Sequence, residues 1–349
     1  MTYEKHNWES AEIISASKMN NIENGIFELS SQSLDKNSLI YKMVSLTLNI
    51  DKEIDSDCFD KISNNNATIS LIVMCSINNA NDPNPIAQPS DRIQNTINVA
   101  KAHNANITML KPHIGKYDSF DRYTYNPSDY QSFFNNWTNQ MLEYARICDT
   151  NHIPILSIGC EQYLTTASKY TQNWMDMISK IKNAYPNIKI IYSMSRPEFT
   201  SMEHWGILPY LDFIGLNVYP SYTDMPYSND FSIYDLIGGW YQSRTSGIDF
   251  QSIIDTMTEK YNKQILLTEI GGMPYVNVLN STYIGDGHYN IFYDALAKFI
   301  SVSFYIAKKN KNIVGLAWWH GEFDGTFSLW EKNNITSSES QLKIEIEGA

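Results

Sequence analysis

Eight short apolar runs, separated in most cases by segments of helical periodicity, constrain this chain more than any other feature. They are Lys42–Ile50, Ala67–Ser76, Asn106–Ile114, Ile153–Glu161, Ile188–Ser195, Leu211–Pro220, Gln264–Gly272 and Ile313–Gly321. Most are continuous rather than alternating, as in the ISLIVMC core of the second. A continuous run of strand length is what a strand buried on both faces requires. Helical patterns fill Asp57–Asn65, Asp91–Asn104, Ser128–Asn151, Ala167–Tyr185, Ile248–Asn262 and Tyr289–Asn310. Eight such strands with intervening helices predict an α/β fold of the (β/α)8 TIM-barrel type over residues 41–331. A doubly wound sheet is the alternative, but no glycine-rich phosphate turn follows the first strand. The connection between strands five and six is the weak point, because Pro197–Tyr210 is a poor helix sequence.

The flanks read differently. In residues 1–40, Ser15-Ala-Ser17 is a plausible helix start, and Met19, Ile22, Ile26 and Leu29 then follow a heptad-like spacing. This predicts a short N-terminal helical appendage, either packed on the barrel or used for homo-oligomerisation. Residues 332–349 read as a polar tail, with the alternating LKIEIE as an edge strand or a frayed end.

Composition narrows the function. Net charge is −12, with no Lys/Arg cluster. A nucleic-acid partner and an anionic membrane surface are therefore not expected. Tyr (23) and Trp (8) are frequent, which suits flat sugar rings as well as core packing. Cys58, Cys75, Cys148 and Cys160 lack zinc-type spacing and are read as buried free thiols. The polar start MTYEKHNWES predicts cytoplasmic synthesis without a signal peptide. No cofactor and no metal are expected; His320, Glu322 and Asp324 on the last loop are read as solvated rather than ligating.

Two carboxylates end strands of the predicted barrel: Glu161 the fourth and Glu269 the seventh. The C-terminal ends of barrel strands carry the chemistry of this fold, so both belong in one mouth. Two carboxyl groups facing one another across a barrel can cleave a glycosidic bond. One protonates the leaving oxygen and the other attacks or activates water. Other strand ends supply candidate sugar contacts: Lys111 and His113 on the third, Asn217 and Tyr219 on the sixth, and Trp318 and Trp319 on the eighth. Adjacent strand residues face opposite ways, so only one of the two tryptophans can line the mouth. Asn78, Trp240 and the rim charges Asp118, Asp121 and Arg122 complete the set. Cys160 as a nucleophile is a remote alternative.

The stretches MLKPHI (Met109–Ile114), SIGCE (Ser157–Glu161), DFIGLNVYP (Asp212–Pro220), LLTEIGG (Leu266–Gly272) and GLAWWHG (Gly315–Gly321) together resemble clan A retaining glycoside hydrolases. The chain is most similar there to glycoside hydrolase family 113, the β-mannanase-like barrels. The resemblance implies Glu161 as acid/base, Glu269 as nucleophile, and a Tyr219 that touches the nucleophile. It departs at Cys160, where many clan members have an Asn that contacts the sugar 2-hydroxyl; Asn217 or Asn78 would then take that contact. Separately, W-x3-EIISASKMNNIENGI, beginning at Trp8, resembles the N-terminal module of bacteriophage tail and baseplate proteins. The combined expectation is a tail-associated glycosidase acting on a host-surface polysaccharide, with other tail proteins as partners through residues 1–40. The alternative is a barrel that only binds glycan.

Overall fold

The computed structural model describes residues 39–115, 120–225, 227–282, 291–323 and 325–348. The N-terminal segment with its heptad-like seam lies outside the described residues, as do Asp118 and Asp324.

Eight parallel strands close in sequence order, with β1 returning to β8. They are β1 (Tyr41–Leu48), β2 (Thr68–Cys75), β3 (Ile107–Ile114), β4 (Ile155–Cys160), β5 (Lys189–Met194), β6 (Ile214–Val218), β7 (Ile265–Gly271) and β8 (Ile313–Trp319). The expected (β/α)8 barrel is the observed fold. Its main helices are α1 (Ser56–Asn64), α2 (Ser90–Ala102), α3 (Tyr130–Asn151), α4 (Thr171–Ala184), α5 (Arg196–Phe199), α6 (Phe250–Tyr261), α7 (Tyr293–Lys309) and α8 (Ser337–Glu347). Among the described residues, no helix is long and apolar enough to cross a membrane.

The continuous apolar strands are explained by two cores. Met43, Met109, Ile155, Ile191, Leu266, Val314 and Ala317 fill the barrel interior. Alternate strand residues, among them Val44, Leu71, Leu110 and Leu316, pack outward beneath the helices. Each strand therefore has no wet face, and period-2 alternation disappears. Between β5 and β6 the short α5 and a 3-10 turn over Met202–Tyr210 replace a full helix, as expected of the poor helix sequence Pro197–Tyr210.

The C-terminal segment differs from the expected tail. It forms α8, capped by the Thr336 hydroxyl, which accepts from the Glu339 amide at 3.1 Å. Leu342 and Ile346 are buried, whereas Ile344 is 45% exposed. LKIEIE reads as strand alternation, but Leu342 and Ile346 are also four apart and share one helical face. Lys61 pairs with Glu339 at 2.7 Å, and Lys42 Nζ donates to the Ile346 carbonyl at 2.5 Å. These contacts make the segment part of the barrel's outer layer.

Candidate active site

The mouth is built from residues at the C-terminal ends of β3, β4, β6, β7 and β8. Period 2 along β3 turns Lys111 and His113 to the same side, below the mouth. Lys111 Nζ lies 2.5 Å from Glu269 Oε1, and His113 Nε2 lies 3.7 Å from the same oxygen. The Tyr219 hydroxyl donates to Glu269 Oε2 at 2.7 Å. Both oxygens of this buried carboxylate thus face donors.

Glu161 stands immediately beyond β4 in the left-handed region, with φ of 57°. Its Oε1 accepts from Asn217 Nδ2 at 2.9 Å, and Arg122 approaches Oε2 at 3.5 Å. Asn217 is oriented in turn, since its Oδ1 accepts from Thr268 Oγ1 at 2.8 Å and lies 3.4 Å from Lys111 Nζ. One amide and one ammonium therefore link the two glutamates in a single hydrogen-bonded chain.

Their electrostatics diverge. Burial pushes the Glu161 carboxyl up, and the nearby charge of Glu269 pushes the same way, against Arg122 and the Asn217 hydrogen bond. Burial also acts to raise Glu269, but the positive charges of Lys111, His113 and Arg122 outweigh it and leave its carboxyl below the usual range. One acid is held towards the protonated form and the other towards the anion. This is the arrangement that acid and nucleophile roles demand.

Cys160 is buried, with Sγ 3.9 Å from Glu269 Oε1 and 3.5 Å from Asn217 Nδ2. Burial raises its thiol well above the ordinary range, the strongest opposing influence being Lys111. It is a neutral thiol rather than a thiolate, which removes the basis for a cysteine nucleophile. Donor atoms of His113, Cys160 and Glu269 lie within 4.8 Å of one another, a spacing a metal ion could use. The Lys111 ammonium already sits on the Glu269 oxygen of that cluster and supplies the positive charge there.

The two tryptophans of β8 separate as alternation requires. Trp319 is half-buried, stacks on His113 at 6.0 Å and 15°, and passes 5.9 Å from Lys111 Nζ. Gly271 allows this course: a Cβ there would lie 2.0 Å from the Trp319 carbonyl oxygen. Trp318 is fully buried edge-on against Phe299 of α7 and is core, not a sugar contact.

Other expectations need correction too. Lys111 and His113 are fully buried, and in this structure both lie against the Glu269 carboxylate. Trp240 is buried outside the barrel, stacked on Phe250 at 5.1 Å. Its sequence context, a long aromatic loop, does not distinguish a rim platform from a hydrophobic anchor. Asn78 sits on the loop after β2, where its side chain donates to Asp82 Oδ2 at 2.7 Å and braces its own turn.

Several participants escaped sequence reading. Arg122 is a partner of Glu161, not merely a rim charge. Thr268, next to Glu269, orients Asn217. Tyr123, which follows Arg122, and Tyr163, two residues past Glu161, form a ring pair with centroids 4.5 Å apart. The one usable signal was Lys111 itself. An ammonium within a buried strand needs an anionic partner nearby.

A profile of Glycoside Hydrolase Family 113 matches residues 83–334. Among solved structures, a GH113 β-1,4-mannanase aligns with a TM-score of 0.67 at 14% identity, covering 90% of this chain and 100% of that one. The GH113 β-mannanase AaManA of Alicyclobacillus acidocaldarius aligns with a TM-score of 0.67 at 13% identity, covering 90% and 98%. A structure of fungal β-1,4-galactanases aligns with a TM-score of 0.56 at 13% identity, covering 87% and 99%. No curated protein sequence matches the chain.

Proposed function

Because this chain belongs to glycoside hydrolase family 113, we propose that it cleaves β-glycosidic bonds with retention of configuration, using Glu269 as nucleophile and Glu161 as acid/base. The observation that carries the reading is the opposed electrostatics of two linked carboxylates at the ends of β4 and β7.

The mechanism follows from their surroundings. Lys111 and Tyr219 keep Glu269 ionised and aimed. Its carboxylate attacks the anomeric carbon while Glu161 gives a proton to the departing oxygen. The departing sugar takes that proton, and Glu161 is left as a base. It then accepts a proton from the water that hydrolyses the glycosyl-enzyme. Loss of the Glu269 charge in the intermediate weakens the pull that keeps Glu161 protonated, so the switch of role is built into the pair. Trp319 offers the face on which the sugar rests. Asn217, already bonded to Glu161, is the amide we assign to the sugar 2-hydroxyl in place of the Asn that many clan members carry.

The substrate class is a polysaccharide of β-linked hexoses, with β-mannosides as first probes because related barrels are β-mannanases. The tail-protein-like segment from Trp8 supports a host-surface glycan as target, and attachment or oligomerisation through residues 1–40 of a phage-tail assembly that acts outside the cell.

The test is incubation with β-mannan and with purified host-surface glycans. New reducing ends are expected, with the first-formed anomer keeping the substrate's configuration by NMR. Glu269→Gln should abolish release. Glycan binding without any release would leave the barrel as a binding module only.

A further inference from the structure

A second buried acid lies near Glu161 and takes no part in the chemistry above. Glu198, on α5, is fully buried, and no cation pairs with it among the described residues. Its carboxylate instead collects neutral donors. Ser195 donates to Oε2 twice, through its amide and its hydroxyl, both at 2.7 Å. Thr166 Oγ1 lies 2.9 Å from Oε1, and the Tyr192 hydroxyl donates to Oε1 at 2.7 Å. Burial without a cation pushes this carboxyl up to about 7, against the hydrogen bonds from Ser195, Tyr192 and Thr166 that favour the anion.

The Tyr192 bond leads to the active site. The same hydroxyl oxygen accepts from the Gln162 amide at 2.7 Å. Gln162 follows Glu161, whose backbone has a φ of 57°. Left-handed backbone is unfavourable for a side-chain-bearing residue, so surrounding contacts must hold it. β5 provides two of them. The Glu161 amide donates to the Ser193 carbonyl at 2.9 Å, and the next amide donates to Tyr192. A hydroxyl has one proton. For Tyr192 to receive the Gln162 amide squarely, that proton must point elsewhere, and Glu198 takes it. Gly159 makes room for the ring, because a Cβ there would come within 2.8 Å of Tyr192 Cε2.

We propose that Glu198, acting through the Tyr192 hydroxyl, is a positioning residue that locks the Glu161–Gln162 backbone in the conformation presenting Glu161 to the leaving group. The proposal rests on the reading of Glu161 as acid. Without the lock, Glu161 relaxes towards extended backbone and its carboxyl leaves Asn217.

The test uses Glu198→Gln and Tyr192→Phe in the full chain, with Glu161→Gln as control. Two probes are compared: 2,4-dinitrophenyl β-mannoside, which leaves without a proton, and phenyl β-mannoside, which needs one. The control should lose kcat/KM on the phenyl glycoside and keep it on the dinitrophenyl one. If it does not, the assignment of Glu161 as acid fails, whatever the other variants do. Given that control, both variants should lower kcat/KM on the phenyl probe about tenfold or more and leave the dinitrophenyl value within about twofold. In hydrogen exchange, the Gln162 amide should lose protection while the barrel strands keep theirs. Equal losses on both probes, or a lowered Tm with the Gln162 amide still protected, would reduce Glu198 to a structural role and overturn the proposal.

Discussion

Lys111 Nζ and Glu269 Oε1 meet at 2.5 Å with both side chains shut off from solvent. The ammonium offsets the burial that would otherwise protonate the carboxyl. Replacing Lys111 by Met leaves burial as the dominant influence and raises the carboxyl pKa. Catalysis needs the anion, so the acidic limb of the kcat/KM–pH profile should move to higher pH. At neutral pH the rate should fall by about a hundredfold or more, as for the loss of one well-placed electrostatic contact. An unshifted acidic limb in Lys111→Met would show that another group keeps Glu269 charged.

The adjacent tryptophans should respond in opposite ways. Trp319→Ala removes a half-buried platform at the mouth and should raise KM with a small change in Tm. Trp318→Ala opens a cavity against Phe299 and should cost about 3–5 kcal/mol of stability. Thermal unfolding alongside steady-state kinetics separates them. Similar behaviour of the two variants would contradict the facing described above.

Cys160→Ala should keep activity within a few-fold. The thiol is neutral at working pH and is a weak donor, so little is lost when it goes. Iodoacetamide should likewise leave the folded enzyme active. Rapid inactivation matched by alkylation of Cys160 would reopen a nucleophilic role for the sulfur.

Tyr123 and Tyr163 pair beside Arg122, which approaches Glu161; with Glu161 as the proposed acid, the departing part of a polymer would pass them. A stacking contact is worth about 0.5–1.5 kcal/mol, so alanine at either position should lower kcat/KM on polysaccharide up to about tenfold. Small aryl glycosides lack that part of the substrate and should be cleaved as before. Equal effects on both substrate types would argue against a leaving-group platform.

Leu342 tests whether α8 belongs to the barrel. It is fully buried on the face that carries Ile346, and its replacement by Ala should cost about 2–5 kcal/mol. Chemical denaturation of wild type and variant measures this directly. A loss near zero would restore the picture of a frayed tail.

Much of the fold was legible because it rests on local pattern. Runs such as ISLIVMC carry apolar side chains to both faces of a strand, and only a sheet sandwiched between two cores satisfies them. Counting those runs identified Glu161 and Glu269 as ends of the fourth and seventh strands. The misreadings arose where one pattern fits two structures. Leu342 and Ile346 satisfy both strand alternation and a helical i,i+4 pair, and contact with α7 selects the helix. Trp240 could have lined a rim or anchored a loop, and packing on Phe250 selects the anchor.

By itself the sequence determined the strand count, the closed-barrel architecture and the two carboxylates at its active end, because strand periodicity and strand order are properties of the linear chain. Only the tertiary structure decided which groups govern those carboxylates. Lys111 meets Glu269 across 158 residues, and Asn217 meets Glu161 across 56. Protonation depends on charge and hydrogen bonding over a few ångströms in a dry interior. Those distances come into being only when the barrel closes.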